Sequence, residues 1–72
     1  MTLPEALKRF RQEFNITQKQ AAVAANTSDR VFQRYEAGEN VPGIDKLISL
    51  ADAFGVSIDY LVGRTDNPAV NK

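Results

Sequence analysis

Residues 16–38 read ITQKQAAVAANTSDRVFQRYEAG and predict two short helices joined by a tight turn. The first of these helices begins at Thr17, because a threonine followed three residues later by glutamine is a capping-box signature. Asn26 tolerates the left-handed backbone of a turn, and Ser28 can cap the next helix. Gly38 ends that helix. Two short helices with so brief a connection must cross steeply, which is typical of a helix-turn-helix.

The inward faces of the two helices are predicted to differ in size. Ala21, Ala22 and Ala25 are the inward residues of the first helix, and small residues allow a neighbouring helix to approach closely. Phe32 and Tyr35 lie three residues apart on one face of the second helix and are predicted to be buried. The second helix is predicted over residues 29–37, with its charged and amide side chains on the opposite face.

A helix is predicted before this pair and two after it. The first begins at Thr2, where Glu5 completes another capping box, and stops near Asn15. Its apolar stripe consists of Leu3, Leu7, Phe10 and Phe14. The fourth helix is predicted to end at Gly55, and its apolar stripe consists of Ile44, Leu47, Ile48, Ala51 and Phe54. The short fifth helix is predicted to stop at Gly63, with the apolar residues Ile58, Leu61 and Val62.

The sequence thus predicts an all-α fold of five helices around one core. Residues 1–63 are expected to form one domain, since 72 residues are near the lower limit for a self-supporting core. Residues 64–72 show no helical periodicity and are expected to be a flexible tail or the start of a linker.

Composition argues against several classes of function. The chain has no cysteine and no histidine, so it lacks thiolate metal ligands, disulfides and the commonest general base. So short a chain does not enclose a substrate pocket, and no apolar stretch is long enough to span a membrane. We therefore expect a non-enzyme without metal, cofactor or small-molecule substrate. The absence of cysteine fits a cytoplasmic location.

Charge is balanced overall but divided along the chain. The formal net charge is zero, which by itself argues against non-specific binding of nucleic acid. Residues 1–36 contain six basic and four acidic residues, net +2, whereas residues 37–72 contain three basic and five acidic residues, net −2. This polarity permits one basic face to meet a phosphate backbone.

Residues 3–63 resemble the Cro/C1-type helix-turn-helix family, also called the Xre family, which includes phage repressors and Cro proteins. The landmarks that carry the resemblance are Arg11, Gln18, Ala22, Ser28, Glu36-x-Gly38, Pro42 and the closing segment 54–63. The resemblance implies a five-helix bundle of the lambda-repressor type. It also implies binding to a double-stranded DNA operator, often as a homodimer, with the third helix in the major groove.

The resemblance further implies roles for individual positions. The positions expected to contact bases are Ser28, Asp29, Arg30 and Gln33. The positions expected to contact phosphates are Thr17, Gln18, Lys19, Thr27 and Arg34. Arg11 and Glu36 are expected to form an ion pair between the first and third helices.

The chemistry of the third helix suits these roles. Arg30 can donate two hydrogen bonds to guanine, and Gln33 can pair with adenine. Arg9 and Lys19 are expected to add attraction to phosphate that is independent of sequence.

Several positions have a second interpretation. Arg30 and Arg34 could be solvated surface charges, and Asp29 could stabilise the helix start through the helix dipole instead of reading a base. Val31 could contact a thymine methyl group or be merely half-exposed. Residues near the end of the chain could belong to the core or to a dimer seam; they are Ile58, Tyr60 and Val62.

The sequence also departs from the family pattern. Asn26 occupies a position where glycine is usual, and Ala21 and Ala25 occupy positions where leucine is usual. Glu39 and Asn40 stand where basic residues are frequent, so the grip on phosphate is expected to be weaker there. Dimerisation or a second domain would compensate for this loss through effective concentration.

We therefore expect a sequence-specific transcriptional regulator, a repressor, from a bacterium, a phage or a mobile element. The alternative is a protein-interaction module on the same fold, such as a partner-binding subunit of a regulatory or toxin–antitoxin assembly. The neutral charge, Asp29 and the missing basic residues in the loop before Pro42 favour this alternative.

Overall fold

The computed structural model describes residues 1–69, which fold into five α-helices with no strand among them. The helices are α1 (Leu3–Glu13), α2 (Gln18–Ala24), α3 (Asp29–Ala37), α4 (Ile44–Phe54) and α5 (Ile58–Leu61). The predicted all-α, five-helix fold is confirmed. Of the predicted tail 64–72, residues 70–72 lie outside the described part of the chain.

Within residues 1–69, four of the five helices begin after a residue whose side chain caps a free N–H group, and α4 follows Gly43 without such a cap. Thr17 Oγ1 accepts from the N–H of Gln20 at 3.0 Å, and Thr17 N–H donates to Gln20 Oε1 at 2.8 Å, which confirms the predicted capping box. Thr2 forms the same arrangement with Glu5. Ser28 caps α3 by accepting from Val31 N–H at 3.2 Å. These local bonds fix the residues at which α1, α2 and α3 begin.

Two asparagines occupy left-handed conformations at helix ends. Asn15 has φ 55° after α1, and Asn26 has φ 57° in the turn between α2 and α3. Gly38 has φ 79° and ends α3 as predicted. Asparagine tolerates this conformation better than other side chains that carry a Cβ, so the turn forms without glycine at position 26.

The core combines an alanine face with aromatic clusters. Ala21, Ala22 and Ala25 are completely buried, as predicted, and they let α3 lie close to α2. Phe32 and Tyr35 on α3 are buried edge to face, with ring centroids 5.8 Å apart. A second cluster joins α1, α4 and α5 and consists of Phe10, Phe14, Phe54 and Tyr60. Because Tyr60 is completely buried in this cluster, its place is in the core and not on an exposed seam.

The predicted apolar stripe of α4 is wrong at two positions. Ile44 is 63% exposed and Ile48 is 44% exposed, whereas Leu50, which the stripe omitted, is completely buried. Leu47 and Ala51 are buried as expected. The physical reason is that α4 packs against α2 and α5. Those two helices cover the face of Leu47, Leu50 and Ala51, and the face of Ile44 and Ile48 is left to solvent.

Residues 64–69 return to the helical body. Ser57 N–H donates to Pro68 O at 2.9 Å. Arg9 donates to Tyr60 O at 2.8 Å and to Thr65 O at 3.0 Å, and its guanidinium lies 4.4 Å from the centroid of the Tyr60 ring. These contacts tie the segment to α1 and to the start of α5. The domain boundary after residue 63 stays a prediction.

Candidate nucleic-acid interface

One face of α3 presents an uninterrupted row of polar side chains. Residues three and four apart share a face of an α-helix, and this spacing places Arg30, Gln33 and Arg34 together. All three are exposed, as are Ser28 and Asp29 at the start of the helix. Within residues 1–69, the side chains of Arg30, Gln33 and Arg34 make no hydrogen bond and no ion pair. Their donors are therefore available to a ligand outside the chain.

The start of α3 combines a cap with a free donor. Ser28 Oγ accepts from Val31 N–H, and the hydroxyl proton of Ser28 stays available because a hydroxyl both donates and accepts. Asp29 is exposed in the first turn, where its charge is favoured by the helix dipole. Both interpretations of Asp29 fit this position. Val31 is half-buried against the core, so its two interpretations also stay open.

The start of α2 presents backbone N–H groups and one cation. The first turn of a helix leaves its N–H groups without partners inside the helix. The Thr17 cap takes the N–H of Gln20, so those of Gln18 and Lys19 are left at the helix end. Thr17 and Lys19 are exposed, and Thr27, before α3, is half-buried. Such a helix start favours an anion.

A buried carboxylate joins the two helices to α1. Glu36, only 3% exposed, accepts from Arg11 through both of its oxygens; the Nη2–Oε1 distance is 2.9 Å. Gln18 Nε2 donates to the same Oε1 at 3.0 Å. The hydrogen bond to Glu36 raises the pKa of Arg11 above its ordinary value. This network fixes the start of α2 and the end of α3 against α1.

The structure gives Gln18 a contact that sequence reasoning missed. Gln18 was expected to contact phosphate, whereas its side-chain amide nitrogen is turned toward Glu36. An amide NH₂ carries two donors, so one N–H and the backbone N–H of Gln18 are not used by this bond. No local sequence signal indicates the pairing, because the two residues are 18 positions apart.

Two further cations have partners that sequence reasoning did not anticipate. Arg9 was expected to attract phosphate, but its side chain is only 14% exposed and binds Asp66 at 2.7 Å in addition to two backbone carbonyls. The Arg9 guanidinium is thus directed at α5 and at residues 64–69. Lys46, on α4, donates from Nζ to the backbone carbonyl of Asn26 at 2.9 Å. Its ammonium group therefore holds the turn between α2 and α3.

Residues 1–69 contain neither a cluster of metal-binding side chains nor a membrane-spanning helix. No group of three or more histidine, cysteine, aspartate or glutamate residues in positions 1–69 could hold a metal ion. Nor is any helix in this range both long and apolar enough to cross a membrane.

Comparisons with known proteins agree with this geometry. A family model described as helix-turn-helix matches residues 7–61. The chain is 39% identical over 64 residues to the cryptic phage CTXphi transcriptional repressor RstR of Vibrio cholerae, an alignment that covers 89% of this chain and 57% of that protein. It is 36% identical over 66 residues to the HTH-type transcriptional regulator ImmR of Bacillus subtilis, covering 92% of this chain and 52% of the relative. It thus spans about half the length of these curated relatives.

A solved structure shares the fold. The crystal structure of a transcriptional regulator from Listeria innocua superposes with a TM-score of 0.75 at 37% sequence identity. The match covers 99% of this chain and 62% of that chain.

Proposed function

The chain belongs to the helix-turn-helix family of Cro/C1 type, and on this basis we propose that it is a sequence-specific DNA-binding regulator of transcription. Its third helix, α3, enters the major groove, and the start of α2 contacts the phosphate backbone. The named relatives are transcriptional regulators and not enzymes. We infer a repressor role from the similarity to RstR, a phage transcriptional repressor, and occupancy of an operator would then block polymerase.

The observation that carries the proposal is the row of unpaired polar side chains on α3. Arg30 and Gln33 stand one turn apart, and no side-chain donor of either is hydrogen-bonded within residues 1–69. An arginine fork suits guanine O6 and N7, and a glutamine amide suits adenine N6 and N7. The other face of α3 is anchored in the core through Glu36, Phe32 and Tyr35. Arg30 and Gln33 therefore project from a helix that is held in place.

The phosphate contacts are proposed from the neighbouring surface. Lys19 and Arg34 supply positive charge that is exposed to solvent, and the first turn of α2 supplies N–H groups. Thr17, Gln18 and Thr27 complete the set proposed for the DNA backbone.

We propose that two copies bind the operator together. Net charge is zero and residues 39–43 contain no lysine or arginine, so one copy gains little from phosphate attraction. Two copies on a two-fold site, with half-sites about one helical turn apart, would raise the affinity through effective concentration. Sedimentation of the protein with an operator duplex should give two copies per duplex. We propose that the protein acts in the cytoplasm.

The interface is tested by NMR titration of the isotopically labelled protein with a DNA duplex. Chemical shifts should move at the amides of residues 17–19 and 27–34, and Arg30→Ala should weaken binding. Lys8→Ala, an exposed charge on α1, is the matched control and should bind as the wild type does.

The alternative, a partner-binding module, predicts a different result. A duplex would then leave the amides of residues 27–34 unshifted even at low salt. This outcome would contradict the proposed DNA interface.

A further inference from the structure

One lysine lies where α4 meets the turn between α2 and α3. Lys46 Nζ donates to the carbonyl oxygen of Asn26 at 2.9 Å, across 20 positions of sequence. The lysine side chain is 29% exposed, and its nearest carboxylate, Asp45, is farther away at 3.9 Å. The closest partner of this cation is thus a backbone carbonyl and not an acidic side chain.

The carbonyl that Lys46 holds belongs to the left-handed residue of the turn. Asn26 is left-handed at φ 57°, and its own N–H donates to Val23 O at 3.1 Å. The next N–H, that of Thr27, donates to Ala22 O at 3.0 Å. Carbonyl groups at a helix C-terminus carry partial negative charge, and a lysine ammonium group stabilises them.

The direction of α3 depends on this turn as well as on its buried anchors Glu36, Phe32 and Tyr35. Gln33 lies about 7 Å along the helix from its start, at 1.5 Å per residue. A rotation of roughly 10° at the turn would displace Gln33 by about 1 Å, which spoils a hydrogen bond that must stay near 3 Å. A bond that fixes the turn to α4 would therefore act on sequence discrimination without touching DNA.

We propose that Lys46 is a positioning residue for base recognition: by holding the Asn26 carbonyl, it sets the angle at which α3 enters the groove. This inference rests on the proposed function of α3 as the reading helix. It assigns Lys46 no contact with phosphate, because the ammonium group is directed at the turn.

The test uses Lys46→Met, which keeps most of the aliphatic stem and removes the ammonium group. Its matched control is Lys19→Met, the same change at the exposed lysine near the start of α2. Affinities are measured by fluorescence anisotropy at several salt concentrations. The probes are a duplex carrying a site enriched from a random pool and a scrambled duplex of the same composition.

Lys46→Met should lower the ratio of enriched-site to scrambled affinity by about fivefold. It should leave scrambled-site affinity and the slope against log salt unchanged. Lys19→Met should weaken both affinities alike and reduce the slope by about 1, as expected for a lost phosphate contact. In the free Lys46→Met protein, amide hydrogen exchange should speed up at Thr27. Circular dichroism should confirm that both variants are folded.

Three outcomes would overturn the inference. An unchanged discrimination ratio in Lys46→Met would show that the bond does not set the reading angle. A uniform loss of affinity with a shallower salt slope would show that Lys46 contacts phosphate. In both of these cases the proposed function would still stand. A wild-type protein that did not discriminate between the two duplexes would overturn this inference and the proposed function together.

Discussion

Glu36 is a buried carboxylate whose charge is offset by donors from two other helices. Burying a carboxylate costs several kcal/mol unless the charge is paired and hydrogen-bonded. Arg11 and Gln18 supply those bonds, so α1, the start of α2 and the end of α3 meet at one residue. The resemblance anticipated the Arg11 partner, whereas the Gln18 bond came from the structure. A sequence records no signal for a contact that depends on how three helices pack.

Arg11→Met should leave the Glu36 carboxylate buried with a single side-chain donor. We expect the free energy of unfolding to fall by about 3 kcal/mol, since removing one partner of a buried pair strands the other charge. Urea denaturation followed by circular dichroism measures this change. Lys8→Met, on the exposed side of the same helix, should stay within about 0.5 kcal/mol of the wild type. A loss below about 1 kcal/mol for Arg11→Met would contradict the claim that the Arg11–Glu36 pair anchors α3 to α1.

Tyr60 should ionise at unusually high pH. Burial, and then its hydrogen bond to Glu13, raise the pKa of Tyr60 from 10.0 to about 12. Because the folded pKa exceeds the unfolded one, the stabilising contribution of Tyr60 is fully present below pH 10 and is lost as the pH rises through about 12. Titration of phenolate absorbance should show one late step, and Tyr60→Phe should remove it. A late step that persisted in Tyr60→Phe would contradict this assignment.

At the scale of the elements, helix starts and stops were predictable because their signals are local. The capping boxes at Thr2 and Thr17 and the left-handed Asn15 and Asn26 lie within a few residues of the ends they define. The inner face of α4 was not predictable in the same way. Ile44, Leu47, Ile48, Leu50 and Ala51 make a broad apolar band, and periodicity alone cannot say which side of it the neighbouring helices cover. The packing of α2 and α5 against α4 determines which face of α4 is buried.

The turn between α2 and α3 should be sensitive to the residue at position 26. Asn26→Ala should lower the free energy of unfolding by about 1 kcal/mol, because a left-handed conformation costs roughly that much for a residue with an ordinary side chain. Asn26→Gly should match or exceed the wild type, because glycine adopts this conformation without steric cost. Thermal denaturation of the two variants checks the order. An alanine variant as stable as the glycine variant would contradict the left-handed backbone at this position.

At the scale of the whole molecule, residues 64–69 are bonded to α1 through Arg9. Sequence periodicity stops at Gly63 and therefore predicted a tail, because periodicity cannot detect bonds made by one distant arginine. Arg9 reaches the carbonyls of Tyr60 and Thr65 and covers the Tyr60 ring. Asp66 also binds Arg9, but its side chain is 99% exposed.

Arg9→Met and Asp66→Asn should therefore differ. We expect Arg9→Met to lower the free energy of unfolding by about 1–2 kcal/mol, because two carbonyls lose a charged donor. Asp66→Asn should change it by less than about 0.5 kcal/mol, as is typical of an exposed ion pair. Urea denaturation of both variants gives the comparison. If the two variants were equally close to the wild type, residues 64–69 would add nothing to the fold and the domain would end near residue 63, as the sequence predicted.

The most direct test of the central claim is selection of binding sites from a random pool of DNA duplexes. The double variant Arg30→Ala and Gln33→Ala serves as the control. We predict that the wild type enriches one motif with two related half-sites whose centres lie about 34 Å apart, and that the double variant loses it. If the wild type enriched no sequence even at low salt, or if the double variant enriched the same motif, α3 would not be the reading helix.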